Sequence, residues 1–479
     1  MKKILAILMV GTLLSCTDNF EDLNTDKKNP SSVTGESLFN SATEEFYEIL
    51  NNSSVNTNVF RLYSQYWAQT TYPEESQYAM TTRSIPDNWY ARIYRDVLID
   101  LEEAKKIIAA VPTNSLTAPV QQNKLAIIEV MEVHAWATLV DIFGNVPYTQ
   151  ALDFSNPSAQ YDDAKTIYMD IIDRLDAAIG QLDASYDEFA SDEDLINQGD
   201  TGMWVKAANS LKLRLALRIA DVDAAKSKSM AESAVAAGVF STLDENQSIE
   251  YVSTQPYTNP VYSDLVLSGR NDYVPANTIV DWMSENNDPR MPFYFRQNLG
   301  DGTYVGGVYG TNNTFALCSQ LGDALYTSTT PGVVISCAEV EFLKAEAAAR
   351  GYNVGGTVEE FYASGVTASI LEWGGTADDA AAYLAQESVA YETAEGDWKQ
   401  KVATQKWAAL YNNGLEGWAT WRLYDYPMLN VPEGLTYDDI PRRLTYPTNE
   451  QTRNNESLKA AISAMGGDTP QIHVFWDVN

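Results

Sequence analysis

The feature that most constrains the fold is a succession of segments whose apolar residues recur at helical spacing. In "DDAKTIYMDIIDRLDAAIGQL" the apolar residues Ile167, Ile171, Leu175, Ile179 and Leu182 form one stripe. Spacings of three and four place these side chains on one face of an α-helix, which has about 3.6 residues per turn. Similar segments recur between residues 87 and 425. The sequence therefore predicts an all-α protein.

The predicted helices are about 15–20 residues long and are joined by short turns, as in stacked helix pairs of the tetratricopeptide kind. No clean repeat of that period is present, so the pairs must be degenerate. Two irregular stretches interrupt the helices, at about 241–330 and 432–479. Loops of this length in a compact chain are usually functional, so we expect ligand binding there.

The N-terminus has the pattern of a secretory signal that ends in a cysteine. Lys2 and Lys3 precede an apolar run at 4–14, shorter than the roughly 17–25 residues of a membrane-spanning helix. Its ending, "LLSC", puts Ser15 before Cys16 and resembles the lipobox of bacterial lipoproteins. There the cysteine thiol takes a lipid and the chain is cut before it. We predict a signal peptide at 1–15, lipidation of Cys16 and a polar tether at 16–36. The alternative is an ordinary signal with a chance cysteine.

Charge and composition exclude several classes of function. The chain has 65 Asp and Glu against 32 Lys and Arg, a net charge of −33 at pH 7. A surface this acidic argues against nucleic acid as a partner, because phosphates are bound through Lys and Arg. HExxH, GxSxG, P-loop, GxGxxG and EF-hand motifs are missing from the sequence. We therefore assign no catalytic residue, no metal ligand and no cofactor.

Three side chains in the sequence, one histidine and two cysteines, could be chemically reactive. His134 lies in "KLAIIEVMEVHAWATLVDIFG", which is apolar around most of its circumference. We interpret it as a core histidine in a buried helix that ends at Gly144. Cys318 and Cys337 could pair in an oxidising compartment, but sequence cannot place them within bonding distance, so their pairing stays open.

Seven short segments follow one another in the order seen in a known protein family. They are "LVDIFGNVPY" (139–148), "GRNDYV" (269–274), "NNDPRMPFYF" (286–295), "AEVEFLKAEAAARG" (338–351), "QKWAALYNNGLEGWATWRLYDYP" (405–427), "RLTYPTNE" (443–450) and "VFWDVN" (474–479). Together with the lipobox they resemble the SusD/RagB family along nearly the whole chain, and most closely its SusD-like branch.

The resemblance implies a lipoprotein on the outer face of the outer membrane. Members of this family sit as a lid on a SusC-like, TonB-dependent transporter and capture oligosaccharide, or in some cases peptide, for import. Their fold is α-helical, with degenerate tetratricopeptide-like units that support a looped, ligand-binding half. The resemblance thus implies one SusD-like domain at 37–479, in agreement with the helix pairs, the lipid anchor and the missing catalytic motifs.

Most residues in the matching segments are interpreted as architectural. Gly144 and Pro147 suit a helix end and the following turn. A second group consists of tryptophans at helical spacing, expected in the core, and arginines expected in buried charge-assisted hydrogen bonds. Its members are Trp407, Trp418, Trp421, Arg290 and Arg422.

Ligand-binding residues are expected in the polar loops, where the chain concentrates aromatic side chains. A sugar has an apolar C–H face, on which a ring stacks, and a rim of hydroxyls, which Asn, Asp or Arg bind. Loops rich in Asn, Gly, Ser and Thr offer candidates of both kinds, although each could instead only pack its loop. The candidates are Tyr72, Tyr78, Arg83, Asn271, Tyr273, Tyr309 and Tyr326.

Two other functions remain open at the level of sequence. The first alternative is a surface lipoprotein enzyme such as a glycoside hydrolase, although 65 acids make any chosen carboxylate pair uninformative. The second is a tetratricopeptide-type scaffold that binds a protein partner and no small ligand. Release of reducing sugar would distinguish an enzyme from a binding protein. The sequence does not identify the glycan or peptide.

The lipid anchor gives the first prediction. Cys16→Ser should abolish lipidation, because the hydroxyl of serine cannot replace the thiolate that accepts the lipid. The variant should leave the membrane fraction, which stable lipid anchoring otherwise retains. Detergent-phase partitioning of both proteins measures this. Equal partitioning of wild type and variant would contradict the lipoprotein interpretation.

Overall fold

The computed structural model describes residues 33–153 and 155–478, and most of its regular structure is helical. The longer α-helices are α1 Gly35–Asn51, α3 Ile85–Arg92, α4 Ile99–Ala109, α5 Ala118–Phe143, α6 Ala164–Ile179, α7 Thr201–Arg218, α8 Ala224–Ala237, α10 Asn277–Glu285, α12 Cys337–Ala349, α13 Val358–Glu372, α14 Ala377–Leu384, α15 Trp398–Ala409, α16 Gly414–Tyr424 and α18 Asn455–Met465. The short ones are α2 Phe60–Tyr63, α9 Pro260–Tyr262, α11 Met291–Tyr294 and α17 Glu450–Arg453. The predicted helical fold class is confirmed.

Strands are short and pair only in twos among the described residues. They are β1 Trp67–Gln69, β2 Val146–Pro147, β3 Tyr161–Asp162, β4 Gln247–Ile249, β5 Tyr273–Pro275 and β6 Gly332–Ile335. The antiparallel pairs are β1 with β5, β2 with β3 and β4 with β6. Wider π-helical turns occur at Ile93–Leu98 and Ser263–Leu267, and 3₁₀ turns at Leu243–Glu245, Phe315–Leu317, Asp323–Tyr326 and Tyr437–Asp439.

The lipoprotein predictions lie outside the described residues. These are Cys16, the signal peptide at 1–15 and the tether up to residue 32. Helix α1 already begins at Gly35, inside the predicted tether, because Thr34 caps it: Ser37 N donates to Thr34 Oγ1 at 3.1 Å. The anchor and the domain limits stay predictions.

Helices that are neighbours in the chain pack as pairs: α5 with α6, α7 with α8, α12 with α13, and α15 with α16. In α6 the predicted stripe is the packed face, since Ile167, Ile171 and Leu175 are fully buried. Asp163 caps this helix by accepting from Thr166 N at 2.9 Å. The expected helix pairs are therefore present, and their apolar stripes hold them together.

Helix α5 packs against α1, α4, α6 and α7, and its last three turns are buried throughout. It ends as predicted at Gly144, whose φ of 81° lies in the left-handed region that glycine adopts without strain. Pro147 follows in the two-residue strand β2. His134 is a core residue on α5, as expected, and its ring packs edge-on against Phe46 with 5.1 Å between centroids.

The tryptophans and arginines of the matching segments are also buried as expected. Trp407, Trp418 and Trp421 are fully enclosed. Arg290 is fully buried and donates to Asp288 Oδ2 at 2.5 Å and to a glutamine side chain at 3.0 Å. Arg422 lies 3.5 Å above the Trp418 ring. These residues build the scaffold, so their presence in the matching segments needs no ligand to explain it.

A buried network of charges joins four helices. Arg214 on α7 donates two hydrogen bonds to Glu339 on α12, both at 2.7 Å. Arg218, one turn further along α7, donates to Glu416 on α16 at 2.7 Å and pairs with Asp141 on α5 at 3.2 Å. Burial alone would raise the pKa of Glu416, but the charges of Arg214 and Arg218 outweigh it and hold that pKa well below its usual range.

The two stretches predicted to be irregular differ from each other. The first, 241–330, is irregular as expected, with α10 of nine residues as its longest helix. The second, 432–479, contains the 11-residue helix α18, which the sequence patterns did not predict. The buried residues of α18 are Leu458 and Ala461, and two apolar residues three positions apart are too few to stand out as a helical stripe in the sequence.

Cys318 and Cys337 are both buried and free, so they do not form the disulfide that the sequence left open. Within 33–153 and 155–478, no helix combines the length and the apolar character needed to cross a bilayer.

The second prediction concerns His134. Burial, helped by the charge of Arg214, lowers its pKa to about 3, whereas an unfolded histidine titrates near 6.5. Below about pH 6.5 only the unfolded chain takes up this proton, so the free energy of unfolding falls as pH drops from 6.5 towards 3. His134→Gln should remove this loss, worth up to about 1.4 kcal/mol per pH unit.

Denaturant unfolding at pH 7.5 and pH 5.0 tests this. His473 is the matched control, because hydrogen bonding to Asp477 raises its pKa. Its contribution is present below its unfolded pKa and is lost as pH rises, so His473→Gln should change the pH dependence with the opposite sign. Parallel pH dependence for wild type and His134→Gln would contradict the prediction.

Candidate functional site

A cleft of about 220 Å³ lies where the loop after β1 meets the segment before β5. The β1–β5 ladder sets Gln69 opposite Tyr273. Beyond it, Thr70 N donates to Asp272 O at 2.9 Å, and Thr70 Oγ1 donates to Asn271 O at 2.5 Å. Two loops about 200 residues apart in the chain are thereby held side by side. Among the seven predicted residues, Tyr72, Arg83 and Tyr273 line this cleft.

Tyr72 presents the aromatic surface of the cleft. Its side chain is 59% exposed, and its φ of 53° lies in the left-handed region that few non-glycine residues adopt. Gln69 Nε2 holds this backbone by donating to Tyr72 O at 2.9 Å. Strained backbone of this kind is often found at binding sites. The ring is thus exposed on a fixed support.

Charged groups of both signs flank Tyr72. Arg83 Nε donates to Glu75, whose side chain is fully buried and also accepts from Gln69 Nε2 at 2.7 Å. Arg270 Nε donates to Asp272 Oδ2 at 2.5 Å. Within 33–153 and 155–478, the terminal nitrogens of Arg83 have no protein acceptor, so they can donate to a ligand.

The floor of the cleft is polar. Asp264 accepts from Ser53 N at 3.2 Å and from Ser53 Oγ at 2.9 Å. Burial raises the pKa of Asp264, while these hydrogen bonds act against the shift. A hydroxylated ligand would meet carboxylate, hydroxyl and guanidinium groups beside one exposed ring. This combination matches the hydroxyl rim and apolar face of a sugar.

Three of the predicted tyrosines are buried rather than exposed, and their assignment to ligand binding stays a prediction. Tyr78, Tyr273 and Tyr309 are 8%, 6% and 3% exposed. Tyr273 turns inward because β5 pairs with β1, which packs its ring at 5.2 Å from that of Trp67. Its hydroxyl donates to a backbone carbonyl at 2.8 Å. None of the three offers a ring face to a sugar.

Burial of Tyr78 also raises the pKa of its hydroxyl group. Its ring packs against Tyr63 and Tyr309, with centroids at 5.7 and 6.3 Å, and burial raises the pKa of its hydroxyl to about 12. The remaining two predicted residues lie outside the cleft lining. Asn271 is exposed next to it, whereas Tyr326 is half-buried beneath the Arg296 guanidinium, 3.9 Å from its ring.

Sequence reasoning missed Arg270, Asp272, Asp264 and Ser53, all of which line the cleft. The segment "GRNDYV" did contain a signal, because an Arg and an Asp two residues apart in an exposed loop can pair and face one ligand. Ser53 carried no signal, since only the fold brings it next to a residue 211 positions away.

Catalytic groups are not evident in the described part of the chain. His134 is enclosed and is neutral near pH 7, because burial lowers its pKa to about 3. Over 33–153 and 155–478, no cluster of three His, Cys, Asp or Glu side chains is suited to hold a metal ion.

Comparisons with known proteins agree on one family. The model of the SusD-like family, described as starch-binding and associating with the outer membrane, matches residues 27–447. No curated protein matches the chain.

Solved structures with the same fold cover nearly the whole chain. A chitin-binding protein is 25% identical, with 93% of this chain and 100% of that chain covered and a TM-score of 0.79. A SusD homologue from Bacteroides uniformis is 28% identical over 92% and 99% of the two chains, with a TM-score of 0.77. A chitin-binding SusD homologue from Flavobacterium johnsoniae is 25% identical over 93% and 99%, with a TM-score of 0.78. Since the family model matches most of the sequence, this chain belongs to the SusD-like family of starch-binding proteins that associate with the outer membrane.

Proposed function

We propose that this protein is a cell-surface lipoprotein that captures an oligosaccharide and delivers it to a SusC-like, TonB-dependent transporter of the outer membrane. The observation that carries the proposal is the exposed Tyr72 ring between charged groups of both signs. Cys16 would carry the lipid, and the protein would face the exterior. A peptide remains the alternative ligand.

The geometry supports binding of a neutral sugar. The Tyr72 ring would stack on the C–H face of one sugar unit, while Arg83, Arg270 and Asp272 would bind hydroxyls at its rim. Both arginines are already paired with carboxylates, so the cleft has little net charge for an ionic ligand to neutralise. Candidate ligands are fragments of starch, which the family description names, and of chitin, which is named for two related structures.

The third prediction tests the ring. A glycan and peptide array on the purified mature chain identifies the ligand, and calorimetric titration then compares variants. Tyr72→Ala should lose about 1–3 kcal/mol of binding free energy, which is roughly five- to 150-fold in affinity. Tyr72→Phe keeps the stacking face and should bind nearly as well as wild type. Circular dichroism should be unchanged, because an exposed ring supports little of the core.

Tyr186 is the matched control. It is also an exposed loop tyrosine, at 43%, but it lies between α6 and α7, away from the cleft. Tyr186→Ala should therefore bind normally. Unchanged affinity in folded Tyr72→Ala would refute this cleft as the binding site. Release of reducing sugar during titration would favour the glycoside hydrolase alternative instead.

Delivery to a transporter needs a separate test. Affinity-tagged, lipidated protein should co-purify with a TonB-dependent barrel from detergent-solubilised outer membranes. Its absence, with the lipoprotein intact, would contradict the proposed partner and leave sugar capture standing.

A further inference from the structure

A second and larger cleft, of about 440 Å³, lies at the junction of the helical scaffold and the looped half. Its base is the β4–β6 ladder, and its walls include the C-terminal ends of α13 and α15. This volume falls within the roughly 300–1,000 Å³ typical of small-molecule sites. None of the residues around Tyr72 lines it, so it is separate from the candidate sugar site.

The charge of this second cleft is entirely negative. Its polar lining consists of carboxylates, amides and the hydroxyl groups of Ser248, Thr330 and Ser336, and within the described residues no Lys, Arg or His lines it. The carboxylates and amides are those of Asp244, Glu250, Glu372, Asn246, Asn412 and Asn413. The C-terminal ends of α13 and α15 add partial negative charge from their carbonyl groups. The local field therefore favours a cation.

Hydrogen bonds through Asn246 hold the carboxyl group of Glu372 in a fixed orientation. Asn246 Nδ2 donates to Glu372 Oε1 at 3.0 Å, while Asn246 Oδ1 accepts from Cys337 N at 2.7 Å. These two bonds fix the orientation of the amide and, through it, the carboxyl group. Burial raises the pKa of Glu372 to about 7. Its carboxyl group forms no ion pair with any described residue. A cation from a ligand would supply the missing partner.

Arg61 contacts Asn412 from behind the wall of the cleft and does not line it. Arg61 donates to Asn412 Oδ1 at 2.9 Å and Asn412 O at 2.8 Å, and also to the carbonyls of Asn51 and Asn52. Its guanidinium is therefore committed to backbone and amide oxygens and does not line the cleft.

Trp373, at the end of α13, gives the cleft an aromatic wall. Its half-buried ring packs edge-on against Tyr294 and Tyr411, with centroids at 4.6 and 5.7 Å. The face of an indole ring attracts a cation placed over it and also packs against apolar C–H groups. A carboxylate, amides and an indole face together suit an ammonium group attached to a polar, partly apolar body.

We propose that this second cleft binds the primary ammonium group of a small ligand, with Glu372 as its ion-pair partner, Trp373 as its packing surface and the amides as partners for neighbouring polar groups. Amino sugars and the amino termini of short peptides both carry this group.

The experiment compares probes with a free ammonium group and their N-acetylated forms, with the purified mature chain carrying Tyr72→Ala so that the first cleft contributes less. A glucosamine trisaccharide is titrated beside the N-acetylglucosamine trisaccharide, and triglycine beside N-acetyl-triglycine. At least one ammonium probe should bind, and its N-acetylated form should bind much more weakly. Whether the sugar or the peptide binds identifies the source of the ammonium group.

Glu372→Gln tests the assigned partner, because glutamine can still accept from Asn246 but carries no charge. It should weaken the ammonium probe by roughly ten- to 100-fold, as expected for loss of a hydrogen bond to a charged group. Glu359→Gln, an exposed change at the other end of α13, is the matched control and should bind normally. Thermal unfolding checks that both variants fold.

Three results would overturn the proposal: no binding of either ammonium probe, equal binding of charged and N-acetylated probes, or unchanged affinity in folded Glu372→Gln. Each is independent of the sugar site, which depends on Tyr72.

Discussion

The arrangement of the helical scaffold depends on the buried carboxylate of Glu416. Its desolvation is compensated because α7 brings Arg218 to it at 2.7 Å and Arg214 to 3.7 Å, and the charge of Lys406 adds to theirs. The same arginines reach Glu339 on α12 and Asp141 on α5, so one set of charges aligns four helices. Loss of one partner from such a network leaves an uncompensated buried charge, which typically costs about 3–5 kcal/mol. Apolar stripes make the helices associate, and this network adds charged contacts that join α5, α7, α12 and α16.

The loops of the candidate sugar site are held in position because they pack against this scaffold. The segment before β1 packs on α16, where Ser64 Oγ donates to Gly414 O at 2.6 Å. A Cβ at Gly414 would lie 2.3 Å from the backbone nitrogen of Arg61, and one at Gly417 would lie 2.1 Å from the Tyr66 hydroxyl. The glycines of "NNGLEGW" therefore allow the close approach that positions β1. The loop carrying Tyr72 begins at Thr70, directly after that strand.

The two clefts differ in charge, and this difference separates their chemistry. Around Tyr72 each arginine is paired with a carboxylate. The pairs still offer hydrogen-bond donors and acceptors, but their opposite charges largely cancel. Around Glu372 the described lining is acidic or neutral, with an indole wall. The first arrangement suits many hydroxyl groups of a neutral ligand, whereas the second suits one positive group. A surface as acidic as this chain's would strengthen attraction of cations over longer distances.

The sequence by itself determined the helices, their buried stripes and the core positions of residues such as Trp407 and Arg290, because helical periodicity and side-chain chemistry are local properties. It also indicated the family, because seven short segments follow one another in the family's order. Which loop tyrosines face solvent was decided only by tertiary structure. Tyr72 and Tyr273 both lie in polar segments, yet one is exposed and the other enclosed. The difference arises because β5 pairs with β1 in a register that sets Gln69 opposite Tyr273, and a contact between residues so far apart in the chain leaves no periodic signal in either segment.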